Sequence, residues 1–143
     1  LPPGEYGGGY IEKLFTNNLD PNDHAYFSEI YDLKVSSHLL IERDGSLVQF
    51  VPFNKKAWHA GVSSFKGREN CNEFSIGIEL EGTDDNKYTE DQYRALIDIT
   101  KELMLVFQDI KKENIVGHSD IAPGRKTDPG KAFDWHYYLS NLV

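Results

Sequence analysis

Two apolar, β-prone runs, Val35 to Ile41 and Leu47 to Val51, are separated only by Glu42-Arg43-Asp44-Gly45-Ser46. Asp-Gly between such runs is a strong hairpin signal, because it supplies the positive φ that a tight reversal needs. An antiparallel pair is therefore expected here. Pro52 ends its second strand, since proline cannot donate to the ladder. Thr89 to Ile110 supplies the layer to pack on it. Thr89 can cap, Gln92 stands three residues on, and Tyr93, Leu96, Ile97, Thr100, Leu103, Met104 and Phe107 recur at helical spacing. The frame is one long amphipathic helix on a sheet.

The remaining segments fill in around that frame. Phe74 to Leu80 (FSIGIEL) reads as a buried strand with Glu79 and Glu81 at its exit, and Ile115-Val116 as a short strand. Tyr10 to Leu14 suggests a short helix, followed by a polar turn over Thr16 to Asp23. Tyr26, Phe27, Ile30, Tyr31 and Leu33 are spaced like one face of a helix over His24 to Leu33, and the aromatic-rich Phe133 to Leu142 also reads as helical. Leu1 to Tyr10 is Pro- and Gly-rich loop. Asn54 to Asn72 is a long irregular connection, of the kind that is usually functional.

Composition sets the outer limits. A length of 143 residues suits one domain, and 39% hydrophobic with 13% aromatic residues is enough to fill its core. The formal charge of −8 argues against nucleic acid as a partner, because phosphate binding needs a basic face. Cys71 is the one cysteine, so no internal disulfide and no Cys-rich zinc cage can form, and we expect it to be inert. No run approaches the roughly 20 apolar residues of a membrane span, and we expect no membrane partner. The chain opens at Leu1 rather than at Met.

Chemistry concentrates in Gly117 to Gly130, G-H-S-D-I-A-P-G-R-K-T-D-P-G. It is too polar for a core and too stiff for a linker, so it reads as a shaped loop. His118 and Asp128 are ligand types that suit zinc, and the turn-rich loop between them could fold them together. A catalytic zinc site usually takes three protein ligands and leaves one position for water, so one ligand is missing from this pair. Glu79, leaving a buried strand, is placed to have a raised pKa and serve as general base. Lys126 could stabilise an oxyanion as a fixed positive charge.

Each of these residues also has a plainer reading. His118 alone would more often be a structural or surface histidine, and Asp128 before Pro129 a turn residue. Glu79 with Glu81 would usually be a solvated strand end, and Lys126 an exposed lysine. His38, in an apolar strand, reads as a satisfied, half-buried histidine. His59 beside Trp58 reads as groove-lining or packing with even weight, and His24 and His136 read as surface.

The segments V-S-S-H-L-L-I-E-R-D-G-S-L-V-Q-F-V-P (Val35 to Pro52), A-W-H-A-G (Ala57 to Gly61) and F-S-I-G-I-E-L-E-G (Phe74 to Gly82) carry a family pattern. So do Gly117 to Gly130 and the F-D-W of Phe133 to Trp135. With these segments the chain resembles the AmpD branch of the zinc-dependent N-acetylmuramoyl-L-alanine amidases, which share a fold with phage amidases and peptidoglycan recognition proteins. The resemblance covers nearly the whole chain.

It implies an α/β (α+β) fold with a central mixed β-sheet flanked by helices. It also implies Zn2+ held by His118 and Asp128, with Asp at 128 in the AmpD manner where several relatives carry Cys. Glu79 falls on the catalytic glutamate and Lys126 on the residue that stabilises the tetrahedral intermediate. Arg125 is implied, more weakly, as a contact to the acidic peptide or the lactyl group, beside Trp58 and His59 as substrate-binding residues. The implied activity is hydrolysis of the amide between N-acetylmuramic acid and L-alanine in 1,6-anhydro-muropeptides during cell-wall recycling in the cytoplasm; we also expect a monomer.

One departure accompanies the resemblance. The family's first zinc ligand is a histidine at the end of a strand, just before the loop that resembles Leu1-Pro2-Pro3-Gly4, and neither His24 nor His38 falls there. We therefore expect a single amidase domain over 1–143 that lacks its N-terminal strand. A non-catalytic peptidoglycan-binding module of the same fold is the alternative, and a zinc peptidase cutting the peptide stem is a third class sharing the metal.

Overall fold

The structure, a computed structural model, describes residues 6–142. Positions 1–5 of the Leu1 to Tyr10 loop lie outside that range. The first element is α1, Tyr10–Phe15. His24 then caps a single 3-10 turn, Ala25–Glu29, by accepting from the Tyr26 N–H through Nδ1. A full helix over His24 to Leu33 does not form. Phe27 is 1% exposed, but Tyr26, Tyr31 and Leu33 remain exposed, so among the described residues most of the apolar face is uncovered and helix propagation lacks its main source of stability.

The expected hairpin is present as β1, Leu39–Ile41, antiparallel to β2, Leu47–Gln49. Gly45 at the turn has φ +86. Its ladder is shorter than the apolar runs around it. Within the Asn54 to Asn72 connection a second small hairpin forms, β3, Ser64–Phe65, with β4, Arg68–Glu69. Lys66 and Gly67 both take positive φ at its tip, which fits a primed turn. The strand expected over Phe74 to Leu80 narrows to β5, Ile78–Leu80, which pairs parallel with β1. The sheet order is β2-β1-β5, a mixed sheet with β1 at its centre.

Helix α2, Glu90–Val106, covers this sheet. The Thr89 hydroxyl accepts from the Gln92 N–H while the Gln92 Oε1 accepts from the Thr89 N–H, so both halves of the capping box are made. Gln92 is 0% exposed, and its Nε2 donates to the carbonyls of Glu81 at 2.8 Å and Ile41 at 3.3 Å. One buried amide thus starts the helix and fastens it to the ends of β1 and β5. Ile41, Leu96, Ile97, Phe133 and Tyr138 form the core between the layers.

Two short helices complete the chain: α3, His118–Ile121, and α4, Trp135–Ser140, capped by Asp134. Ile115 and Val116 do not form the expected strand. Ile115 is extended, at φ −102 and ψ 110, yet it joins no ladder among the described residues. Residues 114–118 and residues 75–80 both line a cavity of about 280 Å³. The cavity positions the candidate site.

Candidate active site

Glu79 sits in the middle of β5, opposite Leu40 of β1, and lines the cavity. Burial, followed by the negative charge of Asp128, pushes its carboxyl up to about 7, with His118 and Lys126 opposing the shift. A strand paired to β1 on one side and lining a cavity on the other is what gives one carboxylate both a low dielectric and access to a substrate. Glu81 has a different fate. It is 6% exposed, and its two oxygens accept from the backbone N–H groups of Gly7 at 2.9 Å and Arg43 at 3.0 Å. It is a structural anchor rather than a solvated strand end.

The raised pKa carries a stability consequence. A carboxyl that holds its proton more tightly in the folded than in the unfolded chain destabilises the fold as pH rises from the ordinary glutamate value of 4.5 through about 7. In metal-free protein, Glu79→Gln should therefore be more stable than wild type at pH 8, by about 1–3 kcal/mol, and nearly equal at pH 5. Urea midpoints at the two pH values measure this.

The ends of the Gly117 to Gly130 loop close on each other. A Cβ on Gly117 would lie 2.8 Å from Pro129 Cδ, and the Ser119 N–H donates to the Asp128 carbonyl at 3.0 Å. His118, the first residue of α3, thereby faces Asp128, with Nδ1 and Oδ2 3.3 Å apart. The other ring nitrogen, Nε2, lies 2.9 Å from the Ala60 carbonyl. A carbonyl only accepts, so Nε2 carries a hydrogen, and in the neutral ring Nδ1 presents its lone pair to the carboxylate. Two acceptors at this distance require a cation between them, either a proton or a metal ion.

The titration behaviour of the pair agrees. The hydrogen bond to Asp128 raises the His118 pKa against the opposing effect of burial. Burial works to raise that of Asp128, but the bond to His118 and its charge hold it below the usual carboxylate value. An imidazole nitrogen and a carboxylate oxygen aimed at one point are donors of the kind zinc takes. Among the described residues, no group of three His, Cys, Asp or Glu side chains gathers as a metal site.

The other residues singled out in the sequence divide. Lys126 is exposed at the end of the α3 turn, close enough for its charge to act on Glu79, His118 and Asp128. His59 lines the cavity, and burial with the neighbouring histidines lowers its pKa to about 4, so it is neutral. Its Nε2 is 3.3 Å from the Ser75 hydroxyl. Trp58 is 57% exposed, with the Lys56 ammonium 4.0 Å above its ring, and does not line the cavity. Arg125 donates from Nη2 to the Ala60 and Val62 carbonyls at 2.6 and 2.9 Å, so its guanidinium is engaged by the protein.

His38 is 0% exposed rather than half-buried. Its Nε2 donates to the Lys55 carbonyl at 2.7 Å and its Nδ1 accepts from the Gly77 N–H at 3.0 Å, which satisfies both nitrogens. Cys71 is buried, and His136 is exposed. Asn72 was not singled out by sequence. Its Oδ1 accepts from both the His59 and the Ala60 N–H groups, at 3.0 and 2.8 Å.

Comparison with known proteins identifies the arrangement. The family described as N-acetylmuramoyl-L-alanine amidase matches residues 10–131. The 1,6-anhydro-N-acetylmuramyl-L-alanine amidase AmpD of Escherichia coli (strain K12) is 61% identical over 135 residues, covering 94% of this chain and 73% of the relative. The crystal structure of a selenomethionine AmpD derivative superposes with a TM-score of 0.96 at 56% identity, covering 99% of this chain and 79% of that one. The amidase AmiD from E. coli, solved with anhydro-N-acetylmuramic acid-L-Ala-D-gamma-Glu-L-Lys, has a TM-score of 0.72 at 35% identity and covers 87% of this chain and 54% of its own. A chain with this sheet, this cavity and these matches belongs to the N-acetylmuramoyl-L-alanine amidase family, on its AmpD-type branch.

Proposed function

We propose that the cavity bearing Glu79, His118 and Asp128 hydrolyses the amide between the lactyl group of N-acetylmuramic acid and L-alanine in 1,6-anhydro-muropeptides, with zinc as cofactor. The observation that carries this reading is the convergence of two acceptors, His118 Nδ1 and Asp128 Oδ2 at 3.3 Å, on the cavity that Glu79 also lines. They would hold the metal together with a further donor, which the resemblance implies to be a histidine. Bound zinc would polarise the scissile carbonyl and make water a nucleophile near neutral pH.

The chain's own residues do the rest. Ionised Glu79 takes a proton from the attacking water, so that a C–O bond forms at the lactyl carbonyl carbon. It then gives that proton to the alanine nitrogen as the C–N bond breaks, and the products are a carboxylic acid and an amine, which leave as carboxylate and ammonium once the acid proton has moved to the amine. A carboxyl poised at about 7 can serve in both directions, because neither protonation state is far from the operating pH. The Lys126 ammonium supplies positive charge for the oxygen that becomes negative in between. His59, neutral and facing the cavity, and the exposed Trp58 ring are the surfaces on which the sugar or peptide would rest. The recycling role carries with it the cytoplasmic location that the resemblance implies, and the reading takes the protein to act as a monomer.

Competition between two muropeptides tests the substrate. With matched 1,6-anhydro and reducing-end forms of one peptide, the anhydro form should be consumed first when followed by chromatography. Equal consumption would remove the anhydro preference from the reading while leaving the amidase intact.

A further inference from the structure

The Ala60 carbonyl is the group that dictates which nitrogen of His118 faces Asp128; Arg125 holds the carbonyl directly, and Asn72 holds the backbone N–H groups just before it. Ala60 is 0% exposed, and its peptide cannot be reoriented without disturbing the packing around it. On the N–H side, Asn72 Oδ1 accepts from two successive backbone donors, His59 and Ala60. Because both partners are donors, the amide orientation of Asn72 is fixed by chemistry. On the C=O side, Arg125 Nη2 donates to Ala60 at 2.6 Å and to Val62 at 2.9 Å, and its Nε donates to Val62 at 3.2 Å.

Asn72 is itself anchored. It belongs to the 3-10 turn Cys71–Glu73, whose first N–H donates to the buried Ser63 hydroxyl at 3.2 Å. The segment 59–63 is thus closed at both ends. The turn between the clamps is Gly61, at φ +62, where a Cβ would lie 2.9 Å from Arg125 Nη2. Glycine is required there both by the left-handed backbone and by the guanidinium lying against it.

We infer that Asn72, with Arg125 opposite it, is a positioning residue for the metal site: it fixes the Ala60 carbonyl, which holds the His118 ring with Nε2–H outward and Nδ1 toward Asp128. The inference rests on the proposed role of His118 as a ligand. Hydrogen bonds to the non-coordinating nitrogen of a ligand histidine fix its tautomer and ring angle, and losing such a partner costs about 10- to 100-fold in metal affinity. Asn72 contributes at one remove, by holding the acceptor. Arg125 on this account acts on the protein's own backbone rather than on substrate.

Zinc affinity by competition with a chromogenic chelator, together with the imidazole nitrogen shifts of His118 in metal-free protein, tests this. Asn72→Ala, acting at one remove, should weaken zinc binding by up to about 10-fold, the lower end of the loss for a direct partner, and mix the two neutral tautomers of His118. Asn72→Asp, which keeps an acceptor at the same place, should restore the Nε2–H tautomer. If Asn72→Ala lowers the melting temperature yet leaves zinc affinity and the His118 shifts as in wild type, the role is structural only and the inference is overturned. Should that variant not fold, Arg125→Ala probes the same carbonyl from the exposed side, and unchanged zinc affinity there overturns it equally. A wild-type protein that binds no zinc would instead remove the ligand reading on which the inference stands.

Discussion

Glu79→Gln lowers kcat/KM for muropeptide hydrolysis by about 10²- to 10⁴-fold, while zinc content and the circular dichroism spectrum stay as in wild type. The amide of Gln has the size of the carboxyl but can neither take a proton from water nor give one to the leaving nitrogen. Among the described residues the Glu79 side chain accepts no hydrogen bond on which β5 depends, and β5 is held to β1 by its backbone ladder. The fold therefore tolerates the change. The loss should fall on kcat more than on KM, because proton transfer belongs to the transition state. A variant with wild-type turnover would mean that some other group moves the proton.

His118→Ala and Asp128→Ala should each abolish stoichiometric zinc binding at micromolar metal and reduce activity to background. Removing a ligand outright should cost more than the 10- to 100-fold typical of its outer hydrogen-bond partners. The two variants differ in what they leave behind. Without His118, the Ala60 carbonyl keeps its Arg125 donor, so the backbone stays satisfied. Without Asp128, His118 loses the partner that raises its pKa, and the ring should titrate lower in metal-free protein. Zinc measured after exhaustive dialysis, with histidine shifts followed against pH, checks both outcomes.

Much of the frame was legible because its signals are local. Asp44-Gly45 marks a hairpin within a dozen residues, and Thr89 with Gln92 announces α2 at its first turn. The loop of Gly117 to Gly130 shows in sequence that His118 and Asp128 belong to one stiff segment, and the distance between them agrees. Residues whose roles depend on distant partners were not legible. Glu79 and Glu81 are chemically alike and two apart, yet one faces a cavity while the other is buried on the N–H groups of Gly7 and Arg43. The family pattern singles out Glu79, but nothing in the sequence nearby shows that Glu81 is buried rather than solvated.

Asn72 is similar. Its partners lie 12 and 13 residues away across an irregular connection, and an asparagine in such a stretch has no periodicity to betray it. The resemblance implies Arg125 as a substrate contact, and only the geometry turns it toward the carbonyls of Ala60 and Val62. The His24 to Leu33 expectation failed for the opposite reason. Its spacing is helical, but the layer that would have covered Tyr26, Tyr31 and Leu33 is not there among the described residues.

Hydrolysis in 18O-labelled water tests the central claim most directly. With zinc-loaded protein and a 1,6-anhydro-muropeptide, mass spectrometry should find one labelled oxygen in the lactyl carboxylate of the sugar product. The released peptide should be unlabelled, with a free amine on its L-alanine, and Glu79→Gln should abolish both signals. Label in a carboxylate of the peptide, or an intact sugar–alanine amide after prolonged incubation, would contradict the account.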